Sequence, residues 1–386
     1  MTENRFLREQ LITCIGNKRS LLPFIAKELA RIQEEEQHHS LTMVDVFTGS
    51  GAVARLLKQH AKALVVNDLE PYAETLARCY LSNREERTRL NVEGWWQEIT
   101  SQLQRDEAQG NLQPGLIATH YAPADDSAIK PGERVFYTRR NACFLDTARR
   151  YIAQLPEPVQ PFLLAPLLVE ASVHANTAGV FKGFYKDRET GIGRFGGTGG
   201  DALTRITGPI QLLKPIFSSR DCPVHVFRED ANALANSMDQ GISNVFGSPP
   251  DVVYLDPPYN QHPYGSNYFM LNLLQTYQMP KQVSPVSGIP SDWNRSRYNK
   301  VSDAPVAFRE LVCALAAGGI GYILFSWNSE GFLTVEEIQD ILRPLGEVSL
   351  AEQRYNAFRG SRNLRARSSH VREYLFLLRC HRRRYI

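Results

Sequence analysis

The tetrapeptide Asp256-Pro257-Pro258-Tyr259 carries the strongest chemical signal in this 386-residue chain. It follows directly on the apolar run Val-Val-Tyr-Leu at 252–255. Two consecutive prolines stop a strand, because they lack N–H donors and fix φ. They leave backbone carbonyls free and hold their neighbours on a rigid turn. A carboxylate, a free carbonyl and an aromatic ring on one stiff support suit a flat ring that bears an amino group. Tyr259 can lie on the face of that ring while Asp256 and the Pro257 carbonyl accept the two amino protons. The plain alternative is a strand-ending turn with an exposed tyrosine, so the rest of the chain must decide.

Three further motifs also close apolar runs. Asp45-Val46-Phe47-Thr48-Gly49-Ser50-Gly51 ends the run at 43–47 and opens a helical pattern. Its glycines let the backbone approach a ligand just before a helix N-terminus. The run at 64–66 ends in Asn67-Asp68, where an acid can hold a ribose diol as in dinucleotide folds. The run at 224–227 leads to Asp230-Ala231. Singly, a glycine turn fits any tight strand-to-helix connection, and a strand-end aspartate is ordinarily a helix cap. Together, four motifs fall at the carboxyl ends of strands, where open α/β sheets bind ligands.

Two look-alikes are set aside. Gly191-Ile192-Gly193-Arg194-Phe195-Gly196 spells a dinucleotide fingerprint but follows the hydrophilic stretch Lys186 to Thr190 instead of a strand. It is expected to be a mobile loop or a flexible DNA contact. Ser248-Pro249-Pro250-Asp251 precedes its strand and lacks the aromatic residue.

The elements that must position these motifs follow from periodicity. Continuous apolar runs at 43–47, 64–66, 224–227, 252–255 and 320–327 alternate with helical patterns such as 51–60 and 72–81. That alternation predicts an α/β protein with a mixed, mostly parallel sheet. The runs at 347–355 and 373–379 are expected to pair antiparallel at the sheet edge. The stretch 83–219 differs: helical patterns at 141–155 and 162–176 precede a glycine-rich loop at 191–200. It is expected to be a region inserted between strands.

Composition narrows the class. With 43% hydrophobic and 22% charged residues the chain is ordinary for a globular protein. There is no apolar run near bilayer length and the N-terminus lacks an apolar leader core, so a cytoplasmic protein is expected, with no membrane partner. Six scattered cysteines without a CxxC, and histidines without ligand spacing, predict neither disulfides nor a metal site. Net charge is only +3, yet ten arginines and a single acid, Glu373, lie from Arg354 onward. The basic loop between the last two strands, with Arg359, Arg362, Arg365 and Arg367, is expected to meet DNA phosphates.

In their order, these motifs resemble the Dam-type DNA adenine methyltransferases, the alpha group or D12 class of N6-adenine-specific enzymes. Cys14-Ile15-Gly16-Asn17-Lys18 resembles that family's N-terminal cofactor motif, with Cys14 where an aromatic residue is usual. Ala175 to Phe184 and Ser326 to Phe332 also look typical. The resemblance implies a Rossmann-like class I methyltransferase sheet of about seven strands, built from residues 1–82 and 220–386, with 83–219 as the inserted target-recognition region. It implies S-adenosylmethionine as co-substrate, bound by Cys14, Lys18, Asp45, Phe47, Gly49, Gly51, Asp68, Asp230 and Asp256, and no metal. It implies catalysis by Asp256, Pro257, Pro258 and Tyr259 on an adenine flipped from double-stranded DNA, with a cognate restriction endonuclease or other defence component as a conceivable partner. An RNA adenine methyltransferase and a catalytically idle DNA-binding module stay open as alternatives. The intact acid, prolines and aromatic weigh against the idle one.

Overall fold

The computed structural model describes residues 2–38, 40–197, 200, 202–237, 242–356 and 370–381. Seven strands form one sheet: β1 (Leu41–Asp45), β2 (Ala61–Asn67), β3 (Val224–Phe227), β4 (Val252–Leu255), β5 (Tyr322–Asn328), β6 (Gly346–Asn356) and β7 (His370–Cys380). Their order is β3-β2-β1-β4-β5-β7-β6. The first five in that order run parallel, and β7 is antiparallel to both β5 and β6. This is the class I methyltransferase arrangement, as expected. The antiparallel pair is present too, with β7 inside and β6 at the edge.

The continuous apolar runs explain the parallel centre. Every residue of β1, β4 and β5 is buried, as required of strands covered on both faces. Alternate side chains enter two cores. Met43, Leu64, Val252 and Leu324 face one, and Val44, Val65, Val253 and Ile323 face the other. The second core is closed by helices Ala231–Asn236, Ala304–Ala317 and Val335–Leu342. Observed strand ends differ from the expected ones by up to three residues: pairing carries β2 and β5 on into Asn67 and Asn328, while β1 stops at Asp45, before its apolar run ends.

Between β2 and β3 the helical patterns become Arg139–Ala153 and Gln160–Val173. The first starts earlier than expected because Thr138 caps it, accepting from the Asn141 N–H. A helix at Val92–Ala108 was not anticipated: only Val92, Ile99 and Leu103 of its 17 residues are buried, a stripe too sparse to read. These helices share the first core with the sheet, where Phe162, Leu163 and Leu167 join the cluster of Tyr72 and Leu76.

The glycine-rich run is not the mobile loop expected for its described part. Asn176, fully buried, donates to the Val135 and Arg194 carbonyls at 2.7 and 2.8 Å and accepts from the Gly196 N–H. Arg194 N–H in turn reaches the Tyr185 carbonyl. A Cβ on Gly193 would lie 2.3 Å from Val135, so close packing explains that glycine. The other look-alike has a structural task. The Asp251 carboxylate accepts from the Thr42 N–H and hydroxyl at 2.7 and 2.8 Å, pinning the amino ends of β1 and β4 together.

Candidate active site

Sheet order sets the order of the strand-end acids: Asp230 after β3, then Asp68, Asp45 and Asp256. One cleft lies across them. Cys14, Lys18, Asp45, Phe47, Gly49, Asp68, Asp230, Asp256 and Pro258 all line it. Pro257 is buried beside the cleft. Gly51 does not line it. With φ of 79° it caps helix Ala52–His60, a left-handed conformation suited to glycine. Tyr259 stands beside the N-terminal turn: a Cβ on Gly16 would meet the Tyr264 hydroxyl at 3.1 Å and the Tyr259 hydroxyl at 3.5 Å. Arg359, Arg362, Arg365 and Arg367 lie outside the described residues.

Two of the acids bind backbone N–H groups, and Asp230 caps a helix by doing so. Asp68 accepts from the Gly49 and Glu70 N–H groups, and Asp230 from those of Asn232 and Ala233. Asp45 differs. It is 1% exposed, no side chain among the described residues hydrogen-bonds its carboxylate, and burial pushes its carboxyl well above the usual range, against the pull of the Phe47 backbone N–H. A buried acid left in this way favours a ligand bringing a cationic or N–H-donating group. The ammonium and sulfonium groups of S-adenosylmethionine meet that description.

The turn that begins at Asp256 is held by charge. Lys18, 4% exposed, places Nζ 3.1 Å from Asp256 Oδ1 and 2.7 Å from Glu373 Oε1. Burial alone would push the ammonium down, but the two carboxylates hold it well above the ordinary lysine value. Burial pushes Asp256 up to about 6, against the pull of Lys18. Asp256 is therefore mainly ionised at neutral pH and able to accept hydrogen bonds. Glu373, on β7, also accepts from Ser326 Oγ at 2.6 Å and Asn328 Nδ2 at 3.4 Å.

Aromatic residues complete the support. Trp327 meets the Tyr259 ring edge-on, with centroids 6.2 Å apart, and the Tyr259 carbonyl accepts from Phe332 N–H. Ile15 is stapled from both sides: its N–H donates to the Tyr268 hydroxyl and its carbonyl accepts from the Tyr264 hydroxyl. The turn carrying Lys18 is thus fixed by Tyr264 and Tyr268, which follow the Asp256–Tyr259 turn.

Sequence reasoning missed Glu373, Glu70, Tyr264 and Tyr298 as parts of this site. Tyr298 packs edge-on to Phe47 at 5.3 Å, and Tyr264, Tyr298 and Glu70 line the cleft. Glu373 had a readable signal, a lone acid entering an apolar strand, since acids are rarely buried unpaired. Tyr298 had none, because it arrives from an irregular segment.

The chain is similar to known proteins over most of its length. The chain is 29% identical to the type II methyltransferase M.NlaIII of Neisseria lactamica, over 94% of this chain and 98% of that protein. It is 25% identical to the type II methyltransferase M.CviAII of Paramecium bursaria Chlorella virus 1, over 94% and 97%. It is 24% identical to the type II methyltransferase M.FokI of Planomicrobium okeanokoites, over 94% of this chain and 52% of that one. Residues 15–190 and 225–304, about two thirds of the chain, match one family, and the chain belongs to the D12 class of N6 adenine-specific DNA methyltransferases.

Proposed function

We propose that the chain methylates N6 of an adenine flipped out of duplex DNA at a specific site, as the cytoplasmic modification partner of a restriction endonuclease. The observation that carries the reading is Asp256, held by Lys18 at 3.1 Å in the same cleft as the buried Asp45. The relatives' names, type II methyltransferases, support the restriction-modification setting.

S-adenosylmethionine supplies an electrophilic methyl group on a sulfonium. Asp45, Asp68, Asp230, Phe47, Gly49, Cys14 and Lys18 would hold it. Removing the target base from the duplex costs a few kcal/mol, and stacking on Tyr259 offsets part of that. Asp256 and the Pro257 carbonyl accept from the amine and aim its lone pair, a proximity effect. The Asp256 charge stabilises the positive charge that grows on nitrogen. Asp256 need not be a strong base, since the amine becomes acidic only after attack. The insert, residues 83–219, would choose the sequence, and the arginine-rich C-terminal loop would hold phosphates.

Tritiated methyl transfer to duplex DNA and to RNA tests the reading. Single-molecule sequencing of DNA from expressing cells would then give the modified base and its flanks. Transfer to RNA alone, or to neither, overturns the proposal.

A further inference from the structure

We infer that Glu373 is a positioning residue for methyl transfer: from β7 it holds Lys18, and through Lys18 the Asp256 carboxylate, leaving the site with one negative charge in excess. The inference rests on the reading of Asp256 as the acceptor of the target amine.

Stability alone does not explain this acid. Lys18 already has a carboxylate partner in Asp256, and a second buried acid costs desolvation that an apolar strand residue would avoid. Glu373 is nevertheless 1% exposed and takes the shorter of the two contacts with Lys18, 2.7 Å against 3.1 Å. It is itself anchored by Ser326 at 2.6 Å and by Asn328, both on β5. The ammonium is therefore held from the strand side, where the sheet is rigid. Paired with Asp256 alone, Lys18 would neutralise the carboxylate that must face the amine. With Glu373 present, two carboxylates share one ammonium. That excess is fixed in place before a sulfonium arrives and before positive charge grows on the amine nitrogen, which is where preorganised charge acts most strongly.

The surroundings of Asp256 give the inference a specific signature. Lys18 and Cys14 face it from the N-terminal segment, and Asp45 from β1. Tyr254 and Tyr259 face it from its own strand and turn, Tyr264 from the following helix, and Glu373 from β7. Burial pushes the thiol, the three phenols and Asp45 towards their neutral forms. Lys18 and Glu373 remain as the charged neighbours, with opposite effects on Asp256. Removing the Glu373 charge therefore lets Asp256 stay ionised to lower pH, while the weaker negative field slows transfer.

The test is Glu373→Gln, which keeps shape and removes charge. Single-turnover transfer of tritiated methyl to duplex DNA is followed across pH, beside calorimetric cofactor affinity and thermal melting. The neutral-pH rate should fall about tenfold or more, less than the roughly 100- to 1,000-fold cost of losing a group that touches the reacting atoms, because Glu373 acts through Lys18. The acid limb should move to lower pH, with cofactor affinity nearly unchanged. Glu373→Asp should return the limb towards its wild-type position. A folded Glu373→Gln with an unshifted limb overturns the inference, whether its rate is normal or falls only with its melting temperature. Should Glu373→Gln not fold, Ser326→Ala loosens the same carboxylate and should slow transfer in a folded protein; wild-type rate there overturns the inference. Wild-type protein that transfers methyl to DNA while these variants match it sinks the inference alone, and wild-type protein inert on DNA sinks the proposed function with it.

Discussion

The Asp68 carboxylate accepts the Gly49 N–H at 2.7 Å, so the acid that ends β2 shapes the glycine turn that ends β1. Its other oxygen accepts from Glu70 N–H at 2.9 Å, at the start of the next helix. One side chain thus joins two walls of the cleft, and a contact to a ribose would be a third task. Asp68→Ala should weaken S-adenosylmethionine binding by about 1–3 kcal/mol, the cost of lost hydrogen bonds to a charged group. Calorimetry and melting should fall together. Lower melting with unchanged affinity would restrict Asp68 to the turn.

Asp256→Ala should reduce methyl transfer at least about a hundredfold, the usual scale for losing a preorganised electrostatic partner. Cofactor affinity should change little, because Lys18 keeps Glu373 at 2.7 Å and remains a neutralised pair. Tritium transfer and calorimetry on the same preparation separate the two. Near-normal turnover would remove Asp256 from the chemistry.

The pH dependence follows from the same carboxyl. Burial places Asp256 at about 6, with Lys18 pulling it down and Glu373 pushing it up. A protonated carboxyl no longer offers a charge to the amine, so transfer should be full at neutral pH and lost as pH falls through about 6. Lys18→Gln should move that acid limb upward. A rate independent of pH between 5 and 8, in a protein that stays folded, would contradict the assignment.

Much of this was legible because the physics was local. Apolar runs covered on both faces announced β1, β4 and β5, and prolines or glycines at their ends announced the turns. Asp45, Asp68, Asp230 and Asp256 could be placed in one cleft because parallel strands bring their carboxyl ends to one side. Contacts made across long sequence separations could not be read. Lys18 and Glu373 are nearly a chain length apart, and only the insertion of β7 between β5 and β6 makes them neighbours. Helix Val92–Ala108 stayed hidden because three buried residues in 17 give no clear stripe.

Tyr259 should be needed for its ring more than its hydroxyl. Stacking on a base is worth about 1–3 kcal/mol by alanine substitution, and Trp327 supports the ring from its edge. Tyr259→Ala should therefore weaken DNA binding and slow transfer, while Tyr259→Phe should stay within a few-fold of wild type in steady-state assays. An equal loss in both variants would give the hydroxyl a role that stacking does not explain.

Asn176 should govern the link between the glycine-rich run and the cleft. Its side chain joins the Val135 and Arg194 carbonyls and the Gly196 N–H, all with no exposure of its own. The same segment reaches the catalytic side through Phe181, whose N–H donates to the Asn267 carbonyl at 2.8 Å. Lys182, Lys186 and Arg194 are exposed on it, a basic surface suited to phosphates. Asn176→Ala leaves buried backbone groups unpaired, which should cost about 1–3 kcal/mol of stability. Because the cofactor cleft is built from other elements, S-adenosylmethionine affinity should hold while KM for duplex DNA rises. Calorimetry and steady-state kinetics at several DNA concentrations would read both. If cofactor affinity drops and KM for DNA stays constant, the segment supports the cleft and has no part in holding DNA.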